Sequence, residues 1–349
     1  MKKLTLSLSI LMSLCGAASV AASQAIPYKD ITLQATGSGP EDLVAMAESS
    51  NAKGMMLSFI VASAPGVCEA SWGASYSVDS GWAAKEISAL VEGGYEVGIS
   101  FGGAANTYLA QACGDPVSLS EEYLNVIETY NIERIDFDIE NGAESDPVVL
   151  ARMMEAISIV QSKLPNMKVE FTLAAAPDLI RGFDTVIKAV KENSVSFTHI
   201  NPMTMSFGQY YHDTFCSDKP DNMGCTAYLS TLSVDFLKNK LSVEYPDKTE
   251  AELYKMTSMI PMNGLNDLTI DYITLDDMEA LVNWANGGDS SNGNHAINTM
   301  SFWSLNRDKS CEDTWVSPTC SSVNTETGLP FQAYDWEYTD KLNGFISQR

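Results

Sequence analysis

Histidine is scarce in this chain: there are three in 349 residues, and His199, His212 and His295 are scattered. No Cys-x-x-Cys pair occurs either, so a zinc site of the usual cysteine–histidine type has little support and no metal is expected. Basic residues are few as well. Lys and Arg number 21 against 45 Asp and Glu, a formal charge of −24. Such a surface repels nucleic acid and anionic membranes, whereas a neutral polymer such as a polysaccharide is not repelled. The acidity also serves solubility. Past residue 25 there is no long apolar run, so the mature protein is expected to be soluble and off the membrane. No glycine-rich phosphate loop follows the first strand-like run, which argues against a doubly wound nucleotide-binding sheet and leaves no cofactor expected. No internal repeat, low-complexity tract or linker interrupts the chain, so 26–349 reads as one domain, and a monomer is expected.

What is present begins with a leader. Lys2 and Lys3 precede an apolar stretch over 4–14, and Val20-Ala21-Ala22 supplies small residues for cleavage. Residues 1–22, with a boundary as late as 25, therefore read as a secretory signal peptide. The protein is expected to be secreted, or periplasmic in a Gram-negative cell. Of the seven cysteines, Cys15 lies in this leader and six remain: Cys68, Cys113, Cys216, Cys225, Cys311 and Cys320. An even number in an exported chain suggests disulfides. Cys216 with Cys225 and Cys311 with Cys320 each enclose a short polar loop, so local pairing is the simplest arrangement, with Cys68 and Cys113 left over.

Short apolar runs alternate with amphipathic stretches along the rest. Strand-like runs fall at 28–33, 55–62, 95–101, 132–140, 167–174, 197–205, 256–262 and 296–303. Helical patterns fall at 40–49, 79–92, 118–130, 147–163, 184–192, 228–241 and 275–285, several opening on a capping residue. Eight strands with a helix after most of them predict an α/β fold with a parallel sheet closed as a (β/α)₈ TIM barrel. The last forty or so residues read as a loop and a terminal helix.

The chemistry concentrates in the fourth strand, Ile135-Asp136-Phe137-Asp138-Ile139-Glu140. Successive strand side chains point to opposite faces, so Asp136, Asp138 and Glu140 share one face and the apolar residues the other. Inside a barrel these carboxylates face one another, and crowding of like charges should raise at least one pKa into the range a general acid needs. Glu140 comes last, nearest the C-terminal rim where barrel active sites lie. An acidic strand at a solvent-exposed sheet edge is the alternative reading.

Taken with three further segments, this strand resembles glycoside hydrolase family 18, particularly its single-domain bacterial chitinases. The family's D-x-x-D-x-D-x-E is matched by Glu133-Arg134-Ile135-Asp136-Phe137-Asp138-Ile139-Glu140, with glutamate in place of the first aspartate and Arg134 in place of the usual glycine. Its S-x-G-G on strand three is matched by Ser100-Phe101-Gly102-Gly103, its strand-eight aromatic by Trp303, and its strand-seven motif by the segment from Pro261 to Asp267. The resemblance runs from about residue 27 to about residue 310, with strand order preserved. It implies hydrolysis of a polysaccharide or glycan containing N-acetylglucosamine, with retention and without an enzyme nucleophile. Glu140 would be the acid, Asp138 would hold the acetamido group and Asp136 would share a proton with Asp138. Trp303 would floor the sugar site. Ser100, Gly102 and Gly103 would leave room for the acetamido group. Met203 and Met205 stand in the strand-six segment of the substrate site, and serve equally well as core filling. That segment departs from the family: Ser206 stands where an aspartate is expected, and no tyrosine is in register, leaving Tyr210 or Tyr211 to reach in from the following loop. Trp72 is either a sugar platform or loop packing, and His199 reads as a core histidine. Cleavage of chitin or chito-oligosaccharides, cleavage of N-glycan cores, and non-catalytic sugar binding all remain open at this level.

Overall fold

The computed structural model describes residues 24–288 and 296–345. The expected leader and His295 lie outside the described residues. Eight parallel strands follow one another around a ring. β1 comes in two segments, Gln24–Ala25 and Tyr28–Asp30, and is followed by β2 (Gly54–Ala64), β3 (Glu96–Gly102) and β4 (Arg134–Asp138). β5 (Lys168–Ala176), β6 (His199–Met203), β7 (Ser258–Met259) and β8 (Thr299–Met300) complete the set. β1 to β6 pair in sequence order. The ring then closes through short ladders. Thr204 N–H donates to the Ile260 carbonyl at 2.9 Å, Ser301 N–H to Met259 at 3.0 Å, and Tyr28 N–H to Phe302 at 3.1 Å. Hydrogen bonds join each strand of the ring to both of its neighbours, so the fold is a TIM barrel and not an open doubly wound sheet.

A helix follows each strand: α1 (Leu43–Ser50), α2 (Ala84–Glu92), α3 (Pro116–Tyr130), α4 (Pro147–Lys163), α5 (Phe183–Glu192), α6 (Cys225–Glu244), α7 (Leu275–Ala285) and α8 (Glu337–Leu342). α3 shows why the chain turns helical where it does. Asp115 accepts from the N–H groups of Val117 and Ser118, and Pro116 needs no partner in the first turn. Leu119, Tyr123, Val126, Ile127 and Tyr130 then bury one stripe, and Asn131 ends the helix in the left-handed conformation. The outward apolar face of β4 meets that stripe. Phe137 lies 5.1 Å from Tyr123, 5.3 Å from Phe101 and 6.1 Å from Phe171, ring centre to ring centre. Burial of each such ring contributes about 2–3 kcal/mol.

Several expected elements are shorter than their patterns, two of them for a plain local reason. The helix expected over 79–92 begins only at Ala84, because Gly81 and Ala83 both take positive φ in the turn before it. The strand expected over 256–262 is regular only at Ser258–Met259, since Pro261 has no N–H to give the ladder. In the C-terminal segment, buried Arg307 donates to the carbonyls of Asn263 at 2.9 Å and Leu265 at 2.5 Å, and also to that of Ser317. Asp308 caps α8 through the N–H groups of Tyr338 and Thr339. Three disulfides are formed, Cys68–Cys113, Cys216–Cys225 and Cys311–Cys320. No helix of the described residues is long and apolar enough to cross a membrane.

Candidate active site

The strands place their inward residues in layers, and β4 runs through all of them. Arg134 is deepest, Asp136 and Asp138 follow, and Glu140 emerges just past the strand end at the C-terminal rim. Glu133 is exposed on the outside.

Asp136 is fully buried, and both of its oxygens are occupied. Oδ2 accepts from Ser100 at 2.6 Å and from Tyr28 at 3.0 Å; Oδ1 accepts from Thr172 at 2.8 Å and from Asn201 at 3.3 Å. Asp136 acts on Asp138 through its charge, while its hydrogen bonds go to these four donors. Asp138 is hydrogen-bonded to Glu140. Burial first, and then the charges of Glu140 and Asp136, hold Asp138 well above the usual carboxylate range. Burial also raises Glu140, opposed by the hydrogen bond with Asp138 and by Arg181. Burial and the Glu170 charge push Asp136 up to about 6 against its hydrogen bonds. All three carboxyls are therefore raised, with loss of hydration as the leading cause and like-charge crowding second.

A cavity of about 170 Å³ lies over this ladder. Each strand or the loop after it contributes to its wall: Tyr28, Phe59, Ala104, Asp138 with Glu140, Thr172, Met203 with Met205, Ile260 with Asp267, and Trp303. Trp303 stacks on Phe59 at 5.6 Å and leans on Tyr28 at 6.3 Å, which fixes a flat apolar floor opposite the carboxyls. A second space of about 380 Å³ continues past Glu140. Ala174 to Ala176, Leu179, Arg181, Ser206, Phe207 and Tyr211 line it, and Glu140, Met203, Met205 and Asp267 face both. Glu140 thus stands at the waist of one continuous cleft. A larger depression of about 710 Å³, near Phe197, Tyr245 and Lys255, opens at the N-terminal end of the barrel, away from this chemistry.

Several residues singled out in the sequence sit elsewhere than expected. Ser100 lies under the cleft, bound to Asp136, and is not part of its wall. Gly102 and Gly103 do not open the cavity; they let other groups come close. A Cβ on Gly102 would stand 2.3 Å from the Asp138 carbonyl and 2.4 Å from the Tyr108 ring, and one on Gly103 would meet Phe59 at 2.9 Å. Tyr210 is exposed on the rim, because the loop after β6 becomes a helix, Gln209–Phe215, that turns it outward. Tyr211 lines the cleft instead, its hydroxyl donating to Asp178 at 3.0 Å. Trp72 is fully buried and donates to Tyr130, so it is core and no sugar platform.

Tyr108 was not legible as a site residue. Its buried hydroxyl reaches the Asp138 carbonyl at 2.6 Å and the Gly103 carbonyl at 3.0 Å, and accepts the Glu140 N–H at 2.5 Å. One phenol thereby pins the turn that carries Glu140. Asp267 was visible only as part of a motif. It brings a carboxylate to the cleft from the loop after β7, whereas Ser206 supplies none from β6.

A closed barrel with a buried carboxyl pair at its C-terminal rim, facing an aromatic floor, is the arrangement of a glycoside hydrolase site. The comparisons with known proteins agree. The catalytic domain of a hyperthermophilic chitinase from Pyrococcus furiosus is 31% identical in its crystal structure, with a TM-score of 0.76, 93% of this chain and 95% of that one being covered. The chain belongs to the chitinases of glycoside hydrolase family 18. A family GH18 chitinase from Chromobacterium violaceum shares the fold at 12% identity and a TM-score of 0.53, over 94% of this chain and 82% of that one. A probable bifunctional chitinase/lysozyme of Escherichia coli (strain K12) is 28% identical over 288 residues, 81% of this chain and 30% of that protein. Endochitinase 11 of Metarhizium anisopliae is 28% identical over 289 residues, 81% of this chain and 52% of that one. The chain thus spans about half or less of the length of these two curated relatives. No family model matches the chain.

Proposed function

We propose that this protein is a secreted, monomeric hydrolase that cleaves β-1,4-linked N-acetylglucosamine in chitin or chito-oligosaccharides, by substrate-assisted hydrolysis with retention. The observation that carries this reading is the Asp138–Glu140 pair in the wall of the cavity floored by Trp303. The flat apolar face of a sugar ring suits that floor, and a carboxylate oxygen in that wall suits an acetamido N–H.

In the first step the substrate's acetamido oxygen attacks the anomeric carbon as the glycosidic bond breaks. Glu140 gives its proton to the departing oxygen. The resulting oxazolinium carries positive charge beside Asp138, whose negative charge stabilises it more than it stabilises the neutral substrate. In the second step Glu140, now a base, takes a proton from water as that water attacks the same carbon. The oxazoline ring opens with net retention. Asp136, bound by four donors, stays in place below. The second space beyond Glu140 takes the leaving sugar. Export is supported by the leader pattern at 1–22 and by the three disulfides.

The test is product analysis by mass spectrometry, with the protein incubated with N-acetylglucosamine oligomers and, separately, with an N-glycosylated protein. Shortened oligomers are the expected result. Release of glycans that leave one N-acetylglucosamine on asparagine would move the substrate to N-glycan cores. Binding without any product would overturn hydrolysis altogether.

A further inference from the structure

Below the reacting carboxyls, the barrel interior is charged where TIM barrels usually stack branched aliphatics. Register alone sets the layers. Arg134 on β4 lies beside Lys168 on β5, Asp136 beside Glu170, and Glu170 beside His199 on β6. Glu170 is 1% exposed, so its charge has no water to rely on. Arg134 donates to its Oε1 at 2.7 Å. Its Oε2 accepts from Asn201 at 3.2 Å and lies 3.3 Å from His199 Nε2. The same Asn201 amide donates to Asp136 Oδ1 at 3.3 Å, and the Ser258 hydroxyl, bound to Asn201 Oδ1, fixes which end of that amide points to the carboxylates. An unbroken buried path thus runs from Arg134 through Glu170 and Asn201 to the foot of the Asp136–Asp138–Glu140 ladder. Nothing in the reaction proposed above uses it.

We propose that Glu170 is a positioning residue for this reaction: its buried charge, held by Arg134 and linked to Asp136 through the Asn201 amide, sets how tightly the reacting carboxyls hold their proton. The inference rests on the hydrolytic reading above. A charge at this depth is screened poorly, so it acts on its neighbours at full strength. Negative charge under Asp136 disfavours a second negative charge above it. Glu170 itself stays ionised, because Arg134 and its other partners outweigh its burial and hold it down to about 2. The other groups facing this layer are Tyr28 from β1, Ser100 and, deeper, Glu96 from β3, Asp138 on β4, Lys168 and Thr172 on β5, and His199 on β6. Lys168 and Arg134 both bind Glu96, at 2.8 and 3.1 Å, so Glu96 already balances part of their charge. β2, β7 and β8 bring no charged side chain. Arg134 and Glu170 therefore act as an opposed pair, and removing either alone leaves the other only partly compensated.

That opposition gives a test with a sign. The full-length mature enzyme is assayed on N-acetylglucosamine tetramer across the acid and alkaline range, with folding checked by circular dichroism. In Glu170→Gln the negative charge is gone and Arg134 is balanced only in part, by Glu96, so both limbs of the kcat/KM profile move to lower pH, by about half a unit or more. Arg134→Gln removes the positive charge while Asn201 and His199 still hold Glu170, and moves them to higher pH. Glu170→Asp keeps the charge and the wild-type limbs, and KM at the optimum stays within about twofold throughout because the cleft wall is untouched. If Glu170→Gln does not fold, Arg134→Gln alone decides, by the direction of its shift. A folded variant with unmoved limbs would overturn the role of Glu170. A wild-type enzyme without turnover would overturn the hydrolytic reading instead, so the two failures are distinguishable.

Discussion

At the scale of the residue, the chemistry depends on where one proton resides. Asp138 is buried beneath Glu140 and hydrogen-bonded to it, so the pair is best described as sharing a proton. Glu140→Gln keeps the shape and the hydrogen-bonding capacity of the side chain but cannot release a proton. We expect turnover of N-acetylglucosamine oligomers to fall by about 10²–10⁴-fold while binding, measured by calorimetry, changes little. Wild-type turnover in that variant would remove Glu140 from the role of acid. The carboxylate ladder was legible in the sequence because strand geometry alone puts alternate side chains on one face. What each carboxyl binds was not legible. Ser100, Thr172, Tyr28 and Asn201 come to Asp136 from four other strands, and only the closed ring brings them within reach.

At the scale of the element, the turn between β4 and α4 decides where Glu140 points, and Tyr108 decides the turn. Tyr108→Phe keeps the ring against Gly102 but leaves the Glu140 N–H without its acceptor and the Asp138 carbonyl with the Gly103 N–H alone. We expect kcat to fall by roughly tenfold or more with KM within about twofold, because the acid is misaimed while the sugar floor is intact. Stability should drop by about 1–3 kcal/mol, read from chemical denaturation. Unchanged kcat in a folded Tyr108→Phe enzyme would refute this. Periodicity exposed the eight strands and most of the helices, since both are local properties of the chain. It could not reveal Tyr108, which lies 32 residues from its partner Glu140 and carries no motif of its own. Of the two tyrosines left open after β6, a short helix turns Tyr210 outward and Tyr211 inward. Arg134 was visible as a departure from the family pattern, but its partner Glu170 is defined only by the register of β4 against β5.

At the scale of the whole molecule, the buried acids set how stability follows pH. Asp136 and Asp308 are both raised from 3.8 to about 6, each with burial as the leading cause. A raised carboxyl favours the folded state when protonated, so this contribution is complete below the unfolded pKa and is lost as pH rises through 6. Glu170 has the opposite sign: its contribution is complete above its unfolded pKa of 4.5 and is lost only as pH falls towards 2. Both are largely in place near pH 5, and the formal charge of −24 adds repulsion as pH rises. Thermal melting should therefore occur a few degrees higher at about pH 5 than at about pH 8, and a flat or reversed trend would contradict it. The three disulfides also have a common location. Cys68–Cys113 joins the segments after β2 and β3, Cys216–Cys225 lies between β6 and α6, and Cys311–Cys320 follows β8, so all three cross-link loops at the rim that carries the cleft. Among the described residues no disulfide joins the loops at the opposite end, which include the exposed stretch 246–250. In surroundings rich in proteases, the first cuts should therefore fall at that opposite end, and fragments held together by the barrel should keep a working cleft. Wear would begin on the side of the molecule that does no chemistry, and peptide mapping after brief digestion would show it.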